Sequence, residues 1–554
     1  MFLLVFKRLE SQVEDFRPEL WRLLHNPLTE SDTRLRAAAL LAKSDNKNPE
    51  WQQAGSALVM ALANSDEELL SDWIEFLKPV SSTMVDPLSQ MFLDSTRRSG
   101  ERKVAAAALG EYATSSQMAE LLLQADAPRY VNLFQTGPRN SADMAAMMRQ
   151  EFAEPENGSV DSAATAASIQ RRDARRRNAI ITLMRLEQAE DVDQFLKISS
   201  DPTARTMAFL EAPEFGVSPE LRLRLLKVCR NASARQALLL TFRTEEFAEM
   251  STQVQDELYQ FCRTQFEAGQ HQQDRSAAEW LLRNRKPQST NPSDSLELDS
   301  TSIRDRDFVK RDWWMTSRGQ TMVKISAPGK FQIGSPESEP ERDIDEQIKD
   351  IDINYSFAVS AHEITAMQMQ EFRGDGASSS AAIASGLPIN GVNYDEALKY
   401  CRWLSEKEDI SEDEMCYPEF SEITAISVLP DDKLRRTGYR LLTEPEWEYV
   451  CRAGSRTAWY FGSREEHLRY FAWYSLTSTK KEIRPVGLMR PNGFGLFDIT
   501  GNIAEWCHSE QFGMRGASFT DPGLELRSAR RYHQSPKGYS FIGFRICRTM
   551  RDEE

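Results

Sequence analysis

The residues whose types and spacing could do chemistry lie in one stretch, Gly495-Leu-Phe-Asp-Ile-Thr-Gly-Asn-Ile-Ala-Glu-Trp-Cys507. It reads as a turn, a short apolar segment, a Gly-Asn turn and a second apolar segment holding one acid. Asn502 follows Gly501, a pair suited to positive φ. Glu505 sits between Ala504 and Trp506, where a plain core segment carries no charge. A buried carboxylate is costly unless it is paired or bound to a metal. Asp498, the backbone carbonyls at Gly501 and Ile503, and Glu505 are oxygen donors of the kind a hard cation such as calcium takes. The other reading is a glutamate that caps backbone amides in an irregular loop. Spacing alone leaves both open.

These donors need elements to hold them, and the sequence divides into two styles of element. Residues 1 to about 285 read as helices throughout. Arg34-Leu-Arg-Ala-Ala-Ala-Leu-Leu-Ala42, Glu101-Arg-Lys-Val-Ala-Ala-Ala-Ala-Leu-Gly-Glu-Tyr112, Arg175-Arg-Arg-Asn-Ala-Ile-Ile-Thr-Leu-Met184 and Asn231-Ala-Ser-Ala-Arg-Gln-Ala-Leu-Leu-Leu240 share one pattern. Each opens on a polar or basic turn and continues as a small-residue apolar helix. Unequal repeats of this kind predict a helical solenoid and resemble HEAT repeats. The polar stretch from Lys286 reads as a linker over 286–312. From Trp313 short alternating segments, turns and aromatic residues take over. Val323-Lys-Ile-Ser-Ala327 and Phe331-Gln-Ile-Gly334 predict strands, and Asp395 to Lys407 and Glu444 to Arg452 predict helices. The domains so read are 1–285, all helical; 286–312, the linker; and 313–554, mixed α+β.

Composition bounds the function. The chain has 554 residues and a net charge of −16, which argues against generic binding to nucleic acid or anionic membranes. No run approaches the ~20 apolar residues of a membrane span. Met1-Phe-Leu-Leu-Val-Phe6 stops at Lys7-Arg8 and makes a poor signal peptide, so a cytoplasmic home is expected. An extracytoplasmic one is the alternative, if the natural product carries an upstream membrane segment. The seven cysteines show no Cys-x-x-Cys spacing, so a structural zinc site is not expected.

Several blocks beyond the motif stand in a familiar order. They are Arg318-Gly-Gln-Thr-Met-Val323, Phe331-Gln-Ile-Gly-Ser335, His362-Glu-Ile-Thr365, Pro388-Ile-Asn-Gly-Val-Asn393, Tyr439-Arg-Leu-Leu-Thr-Glu-Pro-Glu-Trp-Glu-Tyr449, Arg515-Gly-Ala-Ser-Phe519 and Gly543-Phe-Arg545. With Gly495 to Trp506 they resemble the formylglycine-generating enzyme, or sulfatase-modifying factor, family over about residues 313–550. The resemblance implies a C-type-lectin-like α+β fold. It also implies a calcium ion on the motif turn, carried over to Asp498, Gly501, Ile503 and Glu505.

The same resemblance implies an oxidase that converts a substrate cysteine to formylglycine with a copper-binding thiolate pair just after the "RGGS" turn. Here that region reads Arg515-Gly-Ala-Ser-Phe-Thr-Asp-Pro-Gly-Leu-Glu-Leu-Arg-Ser-Ala-Arg-Arg531 and holds no cysteine. Asp521 stands at the first thiol position and Leu526 near the second, so copper is not expected. What is expected is a non-catalytic protein with a polar groove of Arg515, Ser518, Asp521, Arg527, Arg530, Arg531, Tyr532 and His533. Such a mixed polar and aromatic set suits a protein or peptide partner, or a carbohydrate. The alternative for those arginines is pairing with the domain's own acids. Helical repeats before such a domain also resemble large bacterial proteins led by a serine/threonine kinase. That adds a signalling adaptor to the alternatives, beside an oxidoreductase acting on a protein substrate.

Overall fold

A computed structural model describes residues 13–137, 140–153, 165–284, 311–374, 386–425, 432–509 and 511–551. The linker expected over 286–312 lies outside the described residues except for Arg311 and Asp312. No helix among the described residues is long and apolar enough to cross a membrane.

The chain forms two compact units, residues 1–191 with 211–218, and residues 192–210 with 219–554. In the described residues the first unit is built of helices. Their starts follow local chemistry. Thr114 and Gln117 form a reciprocal capping box before Ser115–Gln124, and Asp126 caps Ala127–Gln135 by accepting from the Arg129 amide. The alanine runs are the close-packing faces: Ala37, Ala38 and Ala39, and Ala105, Ala106 and Ala108, are all buried. Asn178, inside Ala166–Arg185, is buried for a polar reason. Its Nδ2 donates to the carbonyls of Leu122, Leu123 and Ala125 at 2.9, 3.1 and 2.8 Å. These carbonyls lie at the C-terminal end of helix Ser115–Gln124, where the helix ladder runs out of donors.

The second unit carries three sheets. Strands β1 (Trp313–Met315), β2 (Thr321–Ile325), β5 (Phe357–Ser360), β11 (Ile546–Thr549) and β6 (Tyr439–Leu441) form one antiparallel sheet in the order β1-β2-β5-β11-β6. Strands β3 (Gly329–Ile333) and β4 (Lys349–Ile353) form a hairpin. Strands β7 (Ala504–Trp506), β8 (Gly513–Arg515), β9 (Tyr532–His533) and β10 (Ile542–Gly543) form the third sheet in the order β10-β7-β8-β9. The motif glutamate is thus in a strand, with β10 parallel on one side and Arg515 of β8 opposite it on the other. A continuous apolar core joins this sheet to the first. It includes Met322, Tyr400, Leu441, Trp506, Phe544 and Ile546. The predicted helices are found at Tyr394–Lys407 and Glu444–Arg452.

The second compact unit takes in helical residues 192–210 and 219–284 together with the mixed part. Helix Gln272–Asn284 shows why. Gln272, Asp274, Arg275, Ser276 and Glu279 are buried along with its apolar residues. Asp274 pairs with Arg235 of the preceding helices, and Arg275 with Glu279 in the same helix, but other groups here reach the mixed domain. Gln272 Nε2 donates to Gly495 O at 3.0 Å, Trp280 Nε1 to Leu488 O at 3.2 Å, and Trp313 Nε1 returns a bond to Gly269 O at 2.8 Å. The Arg275 guanidinium lies 4.4 Å from the Trp313 ring, and that of Arg490 4.3 Å from the Trp280 ring. Helical periodicity cannot tell a face that meets another repeat from one that meets a sheet domain.

Trp280→Ala removes a buried indole, its hydrogen bond and the surface under Arg490. It is expected to destabilise this unit by about 3 kcal/mol or more, read as a lower midpoint in urea unfolding. An unchanged midpoint would show that the helix is not an integral part of the unit.

Candidate functional site

The motif turn is built on left-handed backbone. Asp498 has φ 49°, Gly501 81° and Asn502 57°. A Cβ on Gly501 would stand 2.4 Å from Trp473 O, so only glycine fits there. Asn502 is the pin. Its amide donates to Trp473 O at 2.8 Å, its Oδ1 accepts from the Arg484 amide at 3.0 Å, and its Nδ2 donates to Glu363 Oε2 at 2.9 Å. Glu363 also accepts from the Ile503 amide at 3.2 Å. The carboxylate that caps amides at this turn is therefore Glu363, the acid of the His362-Glu-Ile-Thr365 block.

Glu505 is held differently. Arg545 Nε donates to both its oxygens at 2.8 Å, Arg545 Nη2 stands 2.7 Å from Oε1, and Trp447 Nε1 donates to Oε2 at 2.7 Å. Arg545 also donates to the carbonyls of Ser360, Ala361 and Phe497 at 3.0, 3.3 and 2.9 Å. Trp447 is delivered by Glu444–Arg452, whose start is a Thr443/Glu446 capping box. Glu505, Arg545, Glu363 and Asp498 are each about 1% exposed. Asp498 Oδ2 accepts from the Gly487 amide at 2.8 Å, while its buried Oδ1 has no hydrogen-bond partner. Arg545 thus serves three buried carboxyls. Burial, with the charges of Asp498 and Glu505, pushes the Glu363 carboxyl well above the usual carboxylate range. Burial likewise raises Asp498 to about 6.

The residues fit a calcium ion in part. Asp498 Oδ1 is a bare, buried oxygen of the type such an ion takes. Glu505, however, has both oxygens on Arg545 and Trp447. Among the described residues no group of three or more His, Cys, Asp or Glu is arranged to hold a metal. An ion on the carried-over set would share Glu505 with the guanidinium.

At the expected thiol positions the chain is closed. Ser518 donates through its amide and its Oγ to Asp521 Oδ2 at 2.8 and 2.7 Å, and Asp521 N returns to Ser518 O at 3.1 Å. Leu526 is fully buried. This is an Asp-closed turn beside a core leucine, with no group able to bind copper(I) as a thiolate does.

The remaining groove residues separate. Arg515 is fully buried, 2.5 Å from Glu448 Oε2 and bonded to the carbonyls of Ala529 and Arg530. Arg527 is bonded to Glu339 and Glu346 at 2.7 and 2.6 Å, and Arg530 to Glu525 and Asp343 at 2.7 and 2.9 Å. The Tyr532 hydroxyl donates to Glu525. These three arginines pair with the domain's own acids, the alternative weighed above. Arg531 differs. It approaches Glu444 and Glu448 only to 3.8 Å, and its Nε and Nη2 are buried without a hydrogen-bond partner. Tyr532 and His533 form edge strand β9 beside it, and His533 is exposed. Sequence reasoning placed Glu505 correctly as a buried acid in need of a partner but missed that Arg545, Trp447 and Glu363 complete its surroundings. All three stand in the quoted motif blocks, which was the available signal.

No disulfide joins the seven cysteines. Cys547 accepts from Arg440 Nη1 at 3.0 Å.

The family model described as "Sulfatase-modifying factor enzyme 1-like domain" matches residues 265–550, just over half of the chain, which therefore belongs to that family. The match begins ahead of helix Gln272–Asn284, in agreement with the packing of that helix. Three curated relatives are similar over part of their length. A protein named chaperone protein LppX from Paenibacillus barcinonensis is 25% identical over 27% of this chain and 61% of its own. The formylglycine-generating enzyme of Mycobacterium tuberculosis is 28% identical over 24% of this chain and 38% of its own. A mouse protein named inactive C-alpha-formylglycine-generating enzyme 2 is 27% identical over 24% of this chain and 38% of its own. The chain thus spans less than two thirds of each.

Arg545→Met leaves three buried carboxyls without their shared cation and is expected to cost about 3–5 kcal/mol of stability. Glu505→Gln, which removes one of the repelling charges, is expected to cost less. Urea titration of both variants checks the order, and equal losses would contradict the shared-cation reading.

Proposed function

We propose that this protein is a non-catalytic binding protein built on the formylglycine-generating-enzyme fold, and that it recognises a protein or peptide partner. The observation that carries the reading is the Ser518–Asp521 turn and the buried Leu526 where the family's thiol pair is expected. The name of the mouse relative, an inactive family member, is consistent with a scaffold that outlives its chemistry. Arg531 and the adjoining edge strand β9, where His533 is exposed, are the part of the expected groove left to meet a ligand, since a sheet edge pairs readily with an extended peptide. We read the helical region before it as a HEAT-like solenoid, a second surface suited to partners. A carbohydrate ligand and a role beside a signalling kinase are the alternatives to it, and a cytoplasmic home is proposed with it.

The test is a peptide carrying a Cys-x-Pro-x-Arg core, incubated with the full chain, copper and oxygen. Its mass is expected to stay unchanged; a loss matching formylglycine would establish the competing reading, an oxidoreductase acting on a protein substrate.

Calcium is proposed as a structural ion at Asp498, Gly501, Ile503 and Glu505, supported by the bare Asp498 Oδ1 and the excess of buried negative charge. Binding to the native state would raise the melting temperature. Calcium is expected to give a rise over chelator that Asp498→Asn and Glu505→Ala each abolish. Identical curves in calcium and chelator would remove the ion and leave proton uptake as the relief of that charge.

A further inference from the structure

Arg205, in helix Thr203–Glu211, is a buried charge with no counter-charge. The residue is 9% exposed. Its Nε donates to Leu196 O at 2.7 Å, and its Nη2 to Ser233 O at 3.0 Å and Ser233 Oγ at 3.5 Å. Its guanidinium carbon lies 5.6 Å from the Phe209 ring centre. These partners are neutral. Elsewhere in the same unit Arg440, Arg452, Arg515, Arg527 and Arg545 are also buried, and each meets a carboxylate within 3 Å, whereas Arg490, which lies on the Trp280 ring, shares with Arg205 the lack of an ion-pair partner among the described residues. Burial alone draws the Arg205 guanidinium down to about 10, with no acid opposing it. Carbonyl dipoles satisfy N–H groups but leave the net charge in place, and an uncompensated buried ion costs several kcal/mol.

Beside it is a cavity of about 20 Å³. Arg205, Thr206, Gln236, Phe461, Pro491 and Asn492 are among its walls, all within the second unit. That volume admits one small guest, since a single water needs about 10–15 Å³ by the same measure. Gln236 Nε2 is spent on Asn492 O at 2.9 Å, and Asn492 Nδ2 on Val450 O at 2.7 Å, so these walls are fixed. A phosphate or dicarboxylate is too large for the space, a cation is repelled, and a water fills it without neutralising Arg205. We propose that Arg205 and this cavity bind a single monovalent anion of chloride size, which completes the packing of helix Thr203–Glu211 against the 453–493 segment. Neither this residue nor this cavity belongs to the site around Glu505.

The experiment compares thermal unfolding of the full chain in sodium chloride and in sodium gluconate at equal ionic strength. Gluconate is too bulky to enter. The midpoint is expected to rise by about 2 °C for each tenfold increase in chloride above its Kd, and to be unmoved by gluconate. Arg205→Gln is expected to erase the difference. Should that variant fail to fold, crystals of the unaltered protein grown in sodium bromide decide the matter by anomalous scattering. Bromide in the cavity upholds the proposal. Superimposable melting in the two salts, or a water only at that position, overturns it.

Discussion

The structure of the C-terminal unit depends on one guanidinium placed among three carboxyls. Arg545 stands between β10 and β11 and reaches Glu505 on β7, and its spare hydrogens close the carbonyls of Ser360, Ala361 and Phe497. One side chain thereby ties the end of β5, the motif turn and the third sheet to the last strands of the chain. Trp447 adds the helix Glu444–Arg452 to the same point. A buried ion pair is a poor source of net stability but a strict condition on geometry, because losing either partner strands the other. The left-handed turn at Gly501 and Asn502 is the geometry that this condition requires.

The same principle explains what became of the expected groove. Glu346 and Glu339 take Arg527, Glu525 and Asp343 take Arg530, and Glu448 takes Arg515. A charged side chain that has met its complement inside the fold has little left to offer a ligand. Arg531 is the exception by position, held 3.8 Å from both available acids, and it adjoins the exposed edge of the sheet. The turn that carries the family's thiols has become self-contained. Asp521 spends one oxygen on both the amide and hydroxyl of Ser518, which closes the loop on itself.

The helices from 192 onward belong with the mixed domain for a related reason. Helix Gln272–Asn284 buries polar groups as well as apolar ones, and buried polar groups demand specific partners. Gln272 finds Gly495 O, Trp280 finds Leu488 O, and Glu279 lies between Arg275 and Arg283 with His362 at 3.2 Å. Such partners specify one docking arrangement, whereas an apolar stripe would accept several.

Residue identity alone determined the family, the helical and mixed halves, the buried placement of Glu505 and the absence of thiols after Arg515. Each depends on local pattern or on which atoms a side chain possesses. Glu444–Arg452 and Tyr394–Lys407 formed where their sequences predicted because caps and periodicity are local. Which groups meet Glu505, and which acid caps the turn amides, needed the fold. Arg545 and Trp447 take its oxygens, and Glu363, far away in sequence, does the capping. The pairing of Arg527 with Glu346, and the packing of helix Gln272–Asn284 with the mixed part, were likewise beyond local pattern. Charge pairing and docking depend on distances between residues remote along the chain, and only the tertiary structure sets those distances.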